Sequence, residues 1–260
     1  MWRFPRTVSD QPLVFVVGAP RSGTTLLQRV IATHSKFVSI DGETGIFSAR
    51  NIFDRPHFHL SDEDTRALLA SSKDIVDLFA RGVALLESRS GGATFVEKTP
   101  QHVKHLPFLV KHFPQAKFVH IIRDGRDCYC SAQHHPNIPQ RNSVRTFASY
   151  WRRCIRSSDQ IAGHPSLATL YYQDFTDNPR RELTRIMGHL GVEVEDAQLD
   201  PGTTGLDARS GLAHFSRLSQ AVTGETVGRW RQEMSEKDAG EFERVAGHEL
   251  RQHGYQRLSA

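Results

Sequence analysis

The chain has 260 residues, 38% of them hydrophobic, with a formal charge of +4. That length accommodates one large α/β domain with a substantial core, and the slight basic excess is too small to argue for a nucleic-acid partner, although it suits a ligand with several negative charges. Three cysteines, two of them the closely spaced Cys128 and Cys130, offer neither a disulfide framework nor metal-ligand spacing. With no secretory signal and no apolar run near the roughly 20 residues that span a bilayer, they point to a cytoplasmic chain without a membrane span.

Leu13 to Val17 is a continuous apolar, β-branched and aromatic run, the pattern of a strand buried on both faces of a parallel sheet. Gly18-Ala19-Pro20-Arg21-Ser22-Gly23-Thr24-Thr25 follows, then an apolar helical stretch through Val30-Ile31. Phe37 to Ile40 predicts a second short strand, and the acidic start Ser61-Asp62-Glu63-Asp64 opens one or two helices over 62–88. Thr94-Phe95-Val96 predicts a strand entering Glu97-Lys98-Thr99-Pro100, with a helix over 102–112. Lys117 to Ile122 is another buried strand, ending in Arg123-Asp124-Gly125-Arg126-Asp127 and a helix from about 126. The remaining expectations are a loop at 134–142, a helix over 143–161, a strand from Ala168 to Tyr172, a helix over 179–190, a long surface loop over 198–225 and helix from Thr226 to about 253. Strands alternating with helices imply a central parallel sheet of about four or five strands flanked by helices.

A strand, a glycine loop and a helix in succession aim backbone N–H groups and a helix N-terminus at an anion. A nucleotide-triphosphatase loop reads G-x-x-x-x-G-K-[ST], its lysine on the terminal phosphates and its hydroxyl on magnesium. Here Thr24 stands at the lysine position, and Arg21 is the cation inside the loop. Asp124, the nearest candidate for holding magnesium, directly follows Arg123. The fold expectation is therefore a single P-loop-like α/β domain over 1–260 whose loop handles a phosphate-like group with arginine and hydroxyls, and no metal. Arg123 stands at the carboxyl end of a buried strand, the edge where open α/β sheets bind ligands. Ser131, two helical turns on, can join its planar fork in holding a phosphate.

Gly18 to Leu26 resembles the 5′-phosphosulfate-binding loop of the PAPS-dependent sulfotransferases, which use 3′-phosphoadenosine 5′-phosphosulfate. Arg123-Asp124-Gly125-Arg126-Asp127 with Ser131 resembles their 3′-phosphate motif, and Arg21 and Glu97-Lys98-Thr99-Pro100 are closer to the bacterial and tyrosylprotein members than to the cytosolic animal ones. Leu170 to Phe175 before Asn178-Pro179, and Val227-Gly228-Arg229-Trp230, are similar to two further family elements, in order.

The resemblance implies one sulfotransferase domain that moves the sulfuryl group of PAPS to a phenol, tyrosine, alcohol or sugar hydroxyl and leaves 3′,5′-adenosine bisphosphate (PAP). It implies that Arg21 steadies charge on the leaving 5′-phosphate oxygen, a role fixed cations perform well in a dry site. Ser22, Gly23, Thr24 and Thr25 would hold the phosphosulfate, and Arg123, Ser131, Tyr172 and Arg229 the rest of the nucleotide. The acceptor hydroxyl needs a general base. Where cytosolic members carry a histidine after Lys-Thr, this chain has Pro100. Glu43, in Asp41-Gly42-Glu43-Thr44, matches the tyrosylprotein-type glutamate in a segment one residue longer, and His102 is the alternative base. Lys98 would reach the transferring group, with an ion pair to Glu97 or Asp127 as its competing role. Phe53, His57, Phe58 and His59 are candidates for an aromatic acceptor site. A kinase-type phosphotransferase and a non-catalytic nucleotide-binding protein are the competing readings.

Overall fold

Five apolar runs become five parallel strands. The computed structural model describes residues 5–49, 58–199 and 227–256. Its strands are β1 (Val14–Gly18), β2 (Phe37–Val38), β3 (Thr94–Lys98), β4 (Lys117–Ile122) and β5 (Leu167–Tyr171), in the order β2-β3-β1-β4-β5. β1 pairs on one side with β3 and on the other with β4, from Val14 opposite Lys117 to Gly18 opposite Ile121. The strand order reverses beside β1, and in such sheets the crevice outside the carboxyl ends at the reversal receives the ligand.

Period-two alternation divides β1 between two cores. Phe15 and Val17 join Phe79, Phe95, Phe113 and Phe118 on one face, while Val14 and Val16 join Leu26, Leu27, Val30 and Ile31 on the other. Phe15 lies between Phe79 and Phe118, with ring centroids at 5.6 and 5.1 Å. Both faces are covered, which is why β1 reads as an unbroken apolar run.

The helices are α1 (Thr24–Ala32), α2 (Asp62–Ser71), α3 (Ile75–Arg89), α4 (Leu106–His112), α5 (Gly125–Gln133), α6 (Val144–Asp159), α7 (Tyr172–Asp177), α8 (Pro179–His189), α9 (Trp230–Glu233) and α10 (Glu236–Gln252). Side-chain caps account for several starts: Asp74 accepts from the Val76 and Asp77 N–H groups and separates α2 from α3, and Ser143 caps α6. Three expectations need correction. The helix expected over 102–112 opens as a 3₁₀ turn, Pro100–His105. The C-terminal helix is broken where Met234 is extended and Ser235 caps α10 by accepting from Asp238 N–H. Tyr172 leaves the strand and begins α7. Of the expected 198–225 loop, residues 200 onward lie outside the described residues. No helix among the described residues is long and apolar enough to cross a membrane.

His120 in β4 is fully buried, and neither ring nitrogen has a hydrogen-bond partner among the described residues. Burial, aided by the His253 charge, pushes its pKa from 6.5 down to about 3. The unfolded chain binds a proton near pH 6.5 that the folded one refuses until about pH 3. Stability from a neutral His120 is therefore complete above the upper value and declines as pH falls toward the lower one. Between pH 7 and pH 5 the decline is about 2 kcal/mol. Urea unfolding of His120→Leu at those two pH values is expected to show a fall smaller than wild type by that amount; an identical fall in both proteins would contradict the assignment.

Candidate active site

The loop between β1 and α1 is drawn tightly against β4. A Cβ on Gly18 would lie 2.6 Å from the Ile121 carbonyl oxygen and 2.5 Å from Ser22 Oγ. Arg21 has φ 70° and Gly23 φ 104°, and a Cβ on Gly23 would meet the Tyr172 ring at 2.8 Å. Gly23 is the N-cap of α1 and no side chain satisfies that helix start, leaving its first-turn N–H groups to an external acceptor. Ser22 is fully buried, and its Oγ has no hydrogen-bond partner among the described residues. A cradle too tight for a Cβ, an orphaned hydroxyl and an uncapped helix start together fit a phosphate-type anion.

Three guanidinium groups converge there, as Arg21, Arg123 and Arg229 all line one cavity of about 720 Å³. Arg21 Nε donates to Ser131 Oγ at 3.1 Å, and Arg123 Nη1 donates to the Arg21 carbonyl oxygen at 3.2 Å. The Arg123 guanidinium lies over the Tyr172 ring, 4.6 Å from its centroid. Burial first, then the charges of Arg123 and Arg229, hold the Arg21 pKa below the usual arginine range, with Cys128 acting in the opposite sense. Arg21 stays charged, but its charge is costly without an anion.

The Arg123-Asp124-Gly125-Arg126-Asp127 run divides its labour. Arg123 faces the cavity. Asp124 caps α5 and pairs with Arg126, which is fully buried, reaches Glu243 at 2.8 Å and lies 3.7 Å from the Trp230 ring centroid. Asp127 accepts the Gly228 and Trp230 N–H groups at 2.8 and 3.0 Å. It thereby brackets Arg229, which pairs with Glu233 at the cavity wall. The sequence offers Asp127 as the end of the 3′-phosphate-like run and as a rival partner for Lys98; its separation from Arg229 by 102 positions conceals the link.

Glu43 is the one carboxylate among the described lining residues, and its Oε1 lies 3.2 Å from Lys98 Nζ. Lys98 is buried behind Glu43 and is not itself part of the cavity wall. Its partner is neither Glu97 nor Asp127. Glu97 instead accepts from Thr44, Thr99 and His102. His102 is fully buried, with Nδ1 on Glu97 and Nε2 receiving the Phe47 N–H, so it does not reach the cavity.

Gly23, Thr24, Thr25, Ser131 and Tyr172 also line the cavity, whereas Ser22 lies beneath it. Ser48, Gln101, Lys104, His135, Asn137 and Tyr150 line it as well. Lys104 Nζ lies 5.1 Å from the Tyr150 ring centroid, and burial raises the Tyr150 pKa, so its phenol remains protonated. His135 and Asn137 belong to the expected 134–142 loop, whereas Tyr150, on α6, carries no local sequence signal. Phe58 packs in the core against Phe79, with ring centroids 5.8 Å apart, and His59 is exposed. Phe53 and His57 lie outside the described residues.

A parallel α/β sheet with a tight glycine loop at its strand-order reversal defines a P-loop-like α/β domain. Within that class, the chain belongs to the sulfotransferase family, whose profile matches residues 12–196. It is similar to the protein-tyrosine sulfotransferase 1 of Danio rerio, at 28% identity over 204 residues, covering 73% of this chain and 56% of that protein. The chain spans about half the length of the curated relatives it matches. The sulfotransferase domain of the Synechococcus PCC 7002 olefin synthase shares its fold with a TM-score of 0.69 at 22% identity, covering 96% of this chain and 98% of that one. A mouse sulfotransferase complexed with PAP gives a TM-score of 0.61 at 16% identity, covering 95% and 86%.

Gly23→Ala combines a left-handed backbone position with a clash against Tyr172. It is expected to lower unfolding stability by about 1–2 kcal/mol in urea titrations; unchanged stability would contradict the tight loop described here.

Proposed function

We propose that the chain transfers a sulfuryl group from PAPS to a hydroxyl acceptor and releases PAP. The observation that carries this reading is the pairing of Arg21 and Arg123 across one cavity that also holds Glu43. The orphaned Ser22 hydroxyl and the uncapped start of α1 support the 5′-phosphosulfate at the Arg21 end. Arg123 and Ser131, with Tyr172 and Arg229 beside them, are assigned to the remainder of the nucleotide, its 3′-phosphate at Arg123. That the mouse relative of similar fold was crystallised with PAP accords with the assignment.

In the reaction, the acceptor oxygen forms a bond to sulfur while the bond from sulfur to the bridging 5′-phosphate oxygen breaks. The acceptor proton passes to Glu43, and the electron pair of the broken bond stays on the phosphate. Arg21 and the N–H groups of α1 stabilise that charge as it develops, the role fixed donors perform in acyl and phosphoryl transfer. Lys98 orients Glu43 through their 3.2 Å contact. The polar wall with Lys104, Gln101 and Tyr150 receives the acceptor.

PAP at 100 times its dissociation constant is expected to stabilise the protein by about 2.7 kcal/mol without added magnesium, read as a rise in melting temperature. Glu43→Ala should retain that rise and lose turnover by about 10²–10⁴-fold, measured by mass spectrometry with PAPS and a panel of tyrosine peptides, phenols, alcohols and sugars. No thermal response to PAP would defeat the reading of the site, and normal turnover by Glu43→Ala would defeat the choice of base.

A further inference from the structure

β3 ends in two adjacent charged residues that point to opposite faces of the strand, yet both secure the same short segment. Lys98 contacts Glu43, and Glu97 holds the residues immediately after it. Glu97 is fully buried. Its Oε1 accepts hydroxyl hydrogen bonds from Thr44 at 2.8 Å and Thr99 at 2.6 Å, and its Oε2 accepts from His102 Nδ1 at 3.0 Å. Two of these intermediaries then return to the backbone of that segment. Gly45 N–H donates to Thr99 Oγ1 at 2.9 Å, and Phe47 N–H donates to His102 Nε2 at 3.3 Å. The Phe47 bond uses a lone pair on Nε2 and the Glu97 bond a proton on Nδ1. One carboxylate thus fixes three points, Thr44, Gly45 and Phe47, in the stretch that begins at Glu43.

The segment needs such ties. Glu43 stands between two glycines with positive φ, Gly42 at 129° and Gly45 at 62°, a backbone with unusual conformational freedom. Burying a carboxylate among hydroxyls and an imidazole is costly unless every lone pair is used. Burial opposes its ionisation, yet the His102 interaction and the Thr99 and Thr44 bonds outweigh it and hold the Glu97 pKa below the usual glutamate range. The group is therefore a charged hub at neutral pH. A loop could be stapled to a strand end by apolar packing at less cost; a hub of directional bonds fixes position.

We propose that Glu97 is a positioning residue for catalysis, fixing the Glu43 carboxylate at the acceptor end of the cavity through Thr44, Thr99 and His102. This rests on Glu43 being the general base, and the test separates the two claims. Glu97→Gln places an amide N–H₂ on one side of the hub whichever way the amide is turned, so either the His102 ring or the Thr44 and Thr99 hydroxyls must reorient and loosen their hold on the segment. Turnover is expected to fall by about tenfold to a hundredfold, the range a misplacement of about 1 Å produces, with the KM for PAPS and the thermal response to PAP unchanged.

The effect must also vanish in the Glu43→Ala background, because a residue acting through Glu43 has nothing left to position. Equal losses with and without Glu43 would overturn the proposal, as would wild-type turnover by Glu97→Gln when Glu43→Ala is slow. Normal turnover by Glu43→Ala would instead remove the underlying choice of base. If Glu97→Gln does not fold, Thr44→Val deletes one spoke of the hub at nearly constant shape. It should lower turnover by about fivefold or more, with Thr44→Ser restoring it; wild-type turnover by Thr44→Val would overturn the proposal.

Discussion

Arg21, Arg123 and Arg229 line a single cavity at the carboxyl edge of the sheet, and like charges brought together under partial burial repel. Burial first, and the neighbouring guanidinium charges next, lower the Arg21 pKa. The protein holds Arg21 in place with a bond to Ser131, and Arg123 with a bond to the Arg21 carbonyl. On the proposed reading, a ligand bearing negative charge at both ends relieves that repulsion. The tight glycine loop and the bracketing of Arg229 by Asp127 hold that arrangement.

Opposite this cluster the chemistry changes sign. Glu43 faces the same cavity with Lys98 behind it, and the acceptor wall beyond is polar and carries Lys104. In the proposed reaction, Glu43 as proton acceptor and Arg21 in the cradle approach the reacting atoms from two different elements, the segment after α1 and the loop before it. Their separation along one helix, α1, gives the site its geometry, and the β3 carboxylate Glu97 ties the far end of that connection back to the sheet.

Much of this was legible in the residues. The unbroken apolar runs at Leu13–Val17 and Lys117–Ile122 announce strands covered on both faces, and the structure places them side by side at the centre of the sheet. The glycine loop and Arg123 declare themselves because each follows such a strand directly, where local order determines position. The role of Asp127 was not legible, because holding Gly228 and Trp230 depends on the chain returning after 101 positions. Glu97 looked like a simple ion-pair partner for its neighbour Lys98, since alternation along β3 separates the two side chains in a way that adjacency in sequence conceals. Tyr172 was read as the end of a strand; as the first residue of α7 its ring instead packs on Gly23 and under Arg123.

The central claim is that two anion cradles grip opposite ends of one bisphosphorylated nucleotide. Isothermal titration of PAP and of 5′-AMP into wild type and Arg123→Ala tests it most directly, because the two ligands differ by the 3′-phosphate alone. Removing a charge-assisted bond of about 1.5–3 kcal/mol should weaken PAP by about tenfold to a hundredfold and leave 5′-AMP within about threefold of its wild-type affinity. Equal weakening of both ligands, or of neither, would contradict the account.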